Sequence, residues 1–275
     1  MLSILPPGTH LHCNIPYAND TLQRHLLDIY VPGKNTVKRP VVIWFHGGGW
    51  RKGDKNSAMD NMDETVREMI QKKYTIVSVN YRYSSTDKFP AQIQDCYQAV
   101  EFIYEHAAEY NLDRSRIAVM GFSAGGHLAA LLGLSNDNKI NDFYPKAQSP
   151  RFKVKLIIDY YGISDLVTLT GPGATDPHIG VTLLTGASAA DRPDLSRKAS
   201  PIQYIDKNDP PCLIFHGDRD EAVSLDQSIL LKSELDKAGV KNELMVIKGA
   251  PHAGPMFDTE NVRRKLFTYL HAYLR

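Results

Sequence analysis

The chain has 275 residues, 43% of them hydrophobic and 23% charged, with a formal net charge of +1. These are ordinary values for a folded chain, and a chain this long can bury a full core without disulfide or metal staples. They exclude a disordered polymer and a protein that binds polyanions through net charge, and no apolar run is long enough to span a membrane.

Residues 10–31 are predicted as an entry pair of strands, with Leu26-Leu27-Asp28-Ile29-Tyr30-Val31 alternating and stopping at Pro32-Gly33. Val41-Val42-Ile43-Trp44-Phe45 is an unbroken apolar run and reads as a buried strand. Residues 59–73 have helical spacing through Met59, Met62, Val66, Met69 and Ile70. Tyr74–Tyr81 is a further strand, and 91–110 a long amphipathic helix through Ile93, Ala99, Val100, Phe102 and Ile103. Arg116–Met120 is a strand, and Gly126–Leu132 belongs to a helix of small residues. Val154–Tyr161 and Cys212–His216 are strands. Residues 225–238 form a helix with Leu225, Ile229, Leu230 and Leu235 inward, ended by Gly239. Glu243–Ile247 is the last strand and 259–274 the closing helix.

Strands alternating with helices mean an α/β fold, with a mostly parallel central sheet covered on both faces. Residues 163–200 break the rhythm with Gly171-Pro172-Gly173, Gly180 and Gly186, and read as a short cap-like insertion over the carboxyl ends of the strands. The expectation is one domain, 1–275, without internal repeats.

Other signals are weaker. The 10 His are scattered, and no basic tract carries interleaved aromatics, so neither a metal nor a nucleic-acid partner is expected. Cys13, Cys96 and Cys212 form no C-x-x-C pair and read as free thiols. Met1–Gly8 lacks a basic n-region and a long apolar h-region, so no signal peptide and a cytoplasmic location are expected.

The chemistry concentrates in three places. Gly121-Phe122-Ser123-Ala124-Gly125 lies between a strand and a helix, where a sharp turn pushes the serine hydroxyl outward. A serine hydroxyl needs a base within hydrogen-bond reach, and the base needs an orienting acid. His252, in the tight loop after the Glu243–Ile247 strand, is the candidate base. The acid candidates are Asp218, Asp220 and Glu221, in the loop after Cys212–His216. Asp218 follows Gly217 directly and can brace the turn, whereas Asp220 lies further out, where it can reach the imidazole. The third place is His46-Gly47-Gly48-Gly49-Trp50, whose glycines let backbone N–H groups approach a carbonyl oxygen. Gly48, Gly49 and Ala124 are the expected oxyanion donors. His46 is expected to anchor the loop, and Trp50, Tyr160, Tyr161 and the 163–200 segment to line the substrate site.

Together these residues resemble the α/β-hydrolase superfamily from about residue 25 to the C-terminus. His46–Trp50, Asn80-Tyr81-Arg82, Phe89-Pro90, Asp95, Gly121–His127, Ser200-Pro201 and His216-Gly217-x-x-Asp220 are similar to the carboxylesterases that carry HGGGW, the branch of bacterial acetylxylan and feruloyl esterases. The resemblance implies the α/β-hydrolase fold, no cofactor, the aspartate of HG-x-x-D (Asp220) as the acid, and an ester of a small molecule or acyl-sugar as substrate. One departure is Val223-Ser224, where relatives often have Val-Pro. Kynurenine formamidases carry similar motifs and supply the alternative reading of amide hydrolysis; Gly49 and Gly126 favour the esterase branch.

Overall fold

The computed structural model describes residues 5–33, 37–138, 140–144, 149–169 and 181–275. Eight strands form one sheet: β1 (Thr9–Pro16), β2 (Leu26–Pro32), β3 (Arg39–Phe45), β4 (Thr75–Val79), β5 (Leu112–Phe122), β6 (Val154–Tyr160), β7 (Cys212–Gly217) and β8 (Asn242–Ile247). Their order is β1-β2-β4-β3-β5-β6-β7-β8. β1 pairs antiparallel with β2, and β2 antiparallel with β4. All later pairings are parallel.

The helices among the described residues are α1 (Asp63–Gln71), α2 (Ala91–Glu105), α3 (Ala124–Ser135), α4 (Val181–Thr185), α5 (Pro193–Lys198), α6 (Asp226–Ala238) and α7 (Glu260–Tyr273). Alternation along the strands sorts the core into two layers. Val41, Ile43 and Phe45 of β3 pack with Ile93 of α2, Leu128 of α3 and Leu235 of α6. Val42 and Trp44 face the opposite way, towards Val66 and Met69 of α1 and Leu266 and Leu270 of α7. The central strands are buried on both sides, which is why they read as continuous apolar runs. This is the α/β-hydrolase arrangement.

The differences from expectation are local. The helix predicted over 59–73 begins at Asp63, with Met59 and Met62 buried in the preceding turns. The helix predicted over 91–110 ends at Glu105, because the Leu112 N–H folds back to the Ala107 carbonyl at 2.7 Å. In α6, Ile229 points to solvent, 49% exposed, and the buried stripe is Gln227, Ser228, Leu231 and Leu235. Two of those four are polar, held inward by hydrogen bonds that apolar periodicity does not register. Gln227 Oε1 accepts from the N–H groups of Ser164 and Asp165 at 3.0 and 2.8 Å. Within the predicted insertion, Gly171, Pro172, Gly173 and Gly180 lie outside the described residues. Cys13 is exposed, and Cys96 and Cys212 are buried free thiols. Among the described residues, no helix is long and apolar enough to cross a membrane.

One buried ion pair ties the loop after β3 to the sheet. Lys55 Nζ lies 2.8 Å from Asp28 Oδ2 on β2, with both side chains at most 3% exposed. The Lys55 N–H donates to Asn80 Oδ1 at 2.7 Å, and its carbonyl accepts from the Ser78 hydroxyl at 2.8 Å. Replacing Lys55 with Met strands the Asp28 charge and should lower unfolding free energy by about 3 kcal/mol or more. A urea midpoint equal to that of the unsubstituted chain would show that this pair does not hold the loop.

Candidate active site

Ser123 sits between β5 and α3 with φ 54° and ψ −118°, a left-handed backbone that a non-glycine residue enters only under strain. Contacts on every side hold it there. A Cβ on Gly121 would overlap the Gly125 carbonyl, and one on Gly125 would overlap the Phe45 carbonyl at the end of β3. The Ser123 N–H donates to the Tyr160 carbonyl at the end of β6, 2.8 Å away. β3, β5, β6 and the start of α3 thus converge on this turn with no room for larger side chains.

The three predicted polar residues come together. His252 Nε2 lies 2.9 Å from Ser123 Oγ, and His252 Nδ1 lies 2.7 Å from Asp220 Oδ2. A carboxylate only accepts, so Nδ1 carries the proton and the Nε2 lone pair faces the serine hydroxyl. Asp220 Oδ1 accepts from the N–H groups of Ala222 and Val223 at 2.9 and 2.8 Å. Burial alone would raise this acid, but hydrogen bonds from His216 and His252, the imidazole charge and the Val223 N–H outweigh it and hold Asp220 well below the ordinary carboxylate value. Of the other acid candidates, Glu221 is exposed. Asp218 braces the neighbouring loop, accepting the Gly249 N–H through Oδ1 at 2.5 Å.

The glycine loop packs beside Ser123. A Cβ on Gly47 would meet the Phe122 carbonyl and lie 3.7 Å from Ser123 Cβ. The turn closes through the Arg51 and Lys52 N–H groups on the Gly48 carbonyl. Among the described residues, no acceptor takes the N–H of Gly48, Gly49 or Ala124. His46 is 1% exposed and stacks on Tyr81 at 4.2 Å. Its Nε2 accepts from Arg24 at 2.8 Å, so Nδ1 donates to the Gly47 carbonyl at 2.7 Å. Burial pushes His46 down to about 4, and the Arg24 charge adds to that. The imidazole is a neutral strut, the anchor expected from the sequence. The Asn80-Tyr81-Arg82 motif buttresses the same loop: the Tyr81 hydroxyl donates to the His46 carbonyl at 2.7 Å, and Arg82 is paired with Asp95 at 2.7 Å.

Trp50 and Tyr160 are not on the surface of the site. Trp50 is 1% exposed behind the loop, and its Nε1–H donates to His127 Nδ1 at 3.2 Å. Tyr160 is fully buried, stacked between Phe122 and Phe215 at 4.4 and 4.5 Å. The strand alternation of β6 sends Tyr160 into the sheet-facing layer. Tyr161 follows the strand with φ 45°, and its ring lies edge-on to His252 at 4.8 Å. Phe257 packs against Tyr161 at 4.6 Å. A cavity of about 540 Å3, lined by Tyr17, Tyr97, Phe102, Tyr144 and Phe152 among others, lies apart from all three relay residues.

His127 links two parts of the site. Its Nδ1 accepts from Trp50, and its Nε2–H donates to the Ala199 carbonyl at 2.7 Å, at the end of the predicted insertion. The motif Gly121–His127 contained this residue, but sequence alone assigned it no contact. His216 and Ser228, behind Asp220, were equally silent; the only signal was the histidine of HG-x-x-D.

With this geometry in hand, comparisons with known proteins converge. The BD-FAE family model matches residues 27–235. Esterase LipQ of Mycobacterium tuberculosis is 31% identical over 245 residues, covering 85% of this chain and 56% of its own. The chain therefore spans little more than half the length of that curated relative. A truncated carbohydrate esterase from gut microbiota superposes with a TM-score of 0.87 and 29% identity, covering 98% of each chain. A bifunctional GH43-CE protein of Bacteroides eggerthii superposes with a TM-score of 0.86 and 33% identity, covering 96% of this chain and 35% of that one.

His127 also gives a pH signature. Burial pushes it down to about 4, from an ordinary imidazole value of about 6.5. Its folded value lies below its unfolded one, so neutral His127 contributes stability above about pH 6.5 that is lost progressively as pH falls towards 4. His127→Gln should flatten the decline of the urea midpoint across that window. An unaltered slope would mean that His127 titrates normally in the folded chain.

Proposed function

The chain belongs to the BD-FAE family, and we propose that it is a serine carboxylesterase acting on short-chain acyl esters, with acetylated or feruloylated sugars as the substrate class. The observation that carries this reading is the continuous relay from Ser123 Oγ through His252 to Asp220. The likeness to carbohydrate esterases supports the sugar side of the substrate.

In the proposed mechanism, Ser123 Oγ attacks the ester carbonyl while His252 Nε2 takes its proton. Asp220 holds the imidazole in the required tautomer and stabilises its positive charge. The carbonyl oxygen becomes an oxyanion and settles against the N–H groups of Gly48, Gly49 and Ala124, at the positive end of α3. His252 then protonates the leaving alcohol. A water deprotonated by the same imidazole attacks the acyl-serine, which releases the acid and restores Ser123. We place the boundary of the pocket in residues 163–200, read as a short insertion within a single domain. Support comes from its described end, where the Ala199 carbonyl is bonded to His127 and the Leu184 carbonyl accepts the Phe89 N–H at 2.9 Å. Tyr161 and Phe257 supply the wall beside the imidazole in place of Trp50 and Tyr160.

Ser123→Ala should lower turnover of p-nitrophenyl acetate by at least about 10⁴-fold without altering the thermal melt. Asp220→Asn should cost about 10⁴-fold by favouring the wrong tautomer, whereas Asp218→Asn should stay within a few-fold. Equal losses at positions 218 and 220 would overturn the assignment of the acid. In an acyl-length series, activity should fall steeply beyond butyrate. A preference for long chains, or a faster rate on N-formylkynurenine than on the acetyl ester, would overturn the substrate reading.

A further inference from the structure

His216, at the end of β7, is fully buried. Its Nε2 faces two oxygens that can only accept: the Val223 carbonyl at 2.9 Å and Asp220 Oδ2 at 3.2 Å. Nε2 must therefore carry a proton. On the other side of the ring, Nδ1 lies 2.6 Å from the Ser228 hydroxyl on α6, which donates to it in the neutral tautomer. Asp220 Oδ2 is the same oxygen that receives His252 Nδ1–H. The carboxylate thus stands between two imidazoles, one open to the nucleophile and one sealed in the core.

We propose that His216 is a positioning residue of the relay: tethered by Ser228, it holds the Asp220 carboxylate and the Val223 turn from behind and so sets the orientation and basicity of His252. The proposal rests on the catalytic reading of Ser123, His252 and Asp220. His216 moves no proton and contacts no substrate. Its N–H takes up part of the charge on Oδ2, so less of that charge is available to a protonated His252. Removing the donor leaves Oδ2 more basic towards His252, which then keeps its proton to higher pH. The other groups facing this cluster are Asp159 on β6, which is buried and accepts the Gly162 N–H at 2.9 Å, and the ring of Tyr161, which is 6.4 Å from His216. Neither donates to Asp220 among the described residues.

The test is the pH dependence of serine labelling by a fluorophosphonate, a readout independent of the substrate. In His216→Leu, labelling near neutral pH should slow by about tenfold, the scale of a displaced orienting group rather than a lost acid. The acid limb of its rate–pH profile should move to higher pH. His216→Gln, whose amide N–H can reach the position of Nε2, should recover most of the rate. Wild-type rate and limb in His216→Leu would overturn the proposal. So would slow labelling with an unmoved limb and no rescue by Gln, the mark of a packing role alone. If His216→Leu does not fold, Ser228→Ala replaces it, with a smaller slowing and the same upward movement expected; an unchanged rate and limb there overturn it equally. A wild-type protein that takes no label would instead sink the catalytic reading on which the proposal rests.

Discussion

The close approach of backbones at the serine turn is the constraint from which the rest of the site follows. Gly121 and Gly125 leave no space for side chains between the end of β3, the end of β5 and the start of α3. A left-handed serine costs on the order of 1–3 kcal/mol. The surrounding contacts over-determine it, through the Tyr160 carbonyl on one side and the Phe45 carbonyl on the other. Because the helix starts directly at this turn, its free N–H groups and the hydroxyl necessarily share one small volume. The glycine loop reaches the same volume because β3 and β5 are parallel neighbours whose carboxyl ends lie level.

Around this turn, three buried imidazoles are each partnered at both ring nitrogens. His46 is held between Arg24 and the Gly47 carbonyl, His127 between Trp50 and Ala199, and His216 between Ser228 and the Asp220 turn. Each of these three imidazoles is bonded at both nitrogens, so each is a two-ended strut. His252 differs by being partly accessible, with one end on a carboxylate and the other on a hydroxyl. Four histidines therefore do two kinds of work, and the division follows from burial and from what lies opposite each nitrogen.

Much of this was legible in the chain. The strands of the parallel sheet are short apolar runs bounded by turns, and each of the three relay residues follows such a run, so topology alone brings them to one edge. What escaped were features set by contacts distant in sequence. The buried face of α6 is chosen by Gln227 bonding to residues more than sixty positions away, and Ile229 is left outside as a result. Tyr160 and Tyr161 are adjacent and chemically alike, and only the positive φ of Tyr161 after the strand decides which reaches the imidazole. Nothing in the sequence pairs Lys55 with Asp28; their contact exists only once the loop after β3 folds over β2.

The bond from His127 to Ala199 ends on a main-chain carbonyl, not on a side chain. Any residue at position 199 can offer that oxygen, provided the local trace is kept. The fastening at this one point is thus independent of the side chain there. A designer could exchange Ala199 for another small residue, and the indole-to-imidazole brace would still find its fastening point.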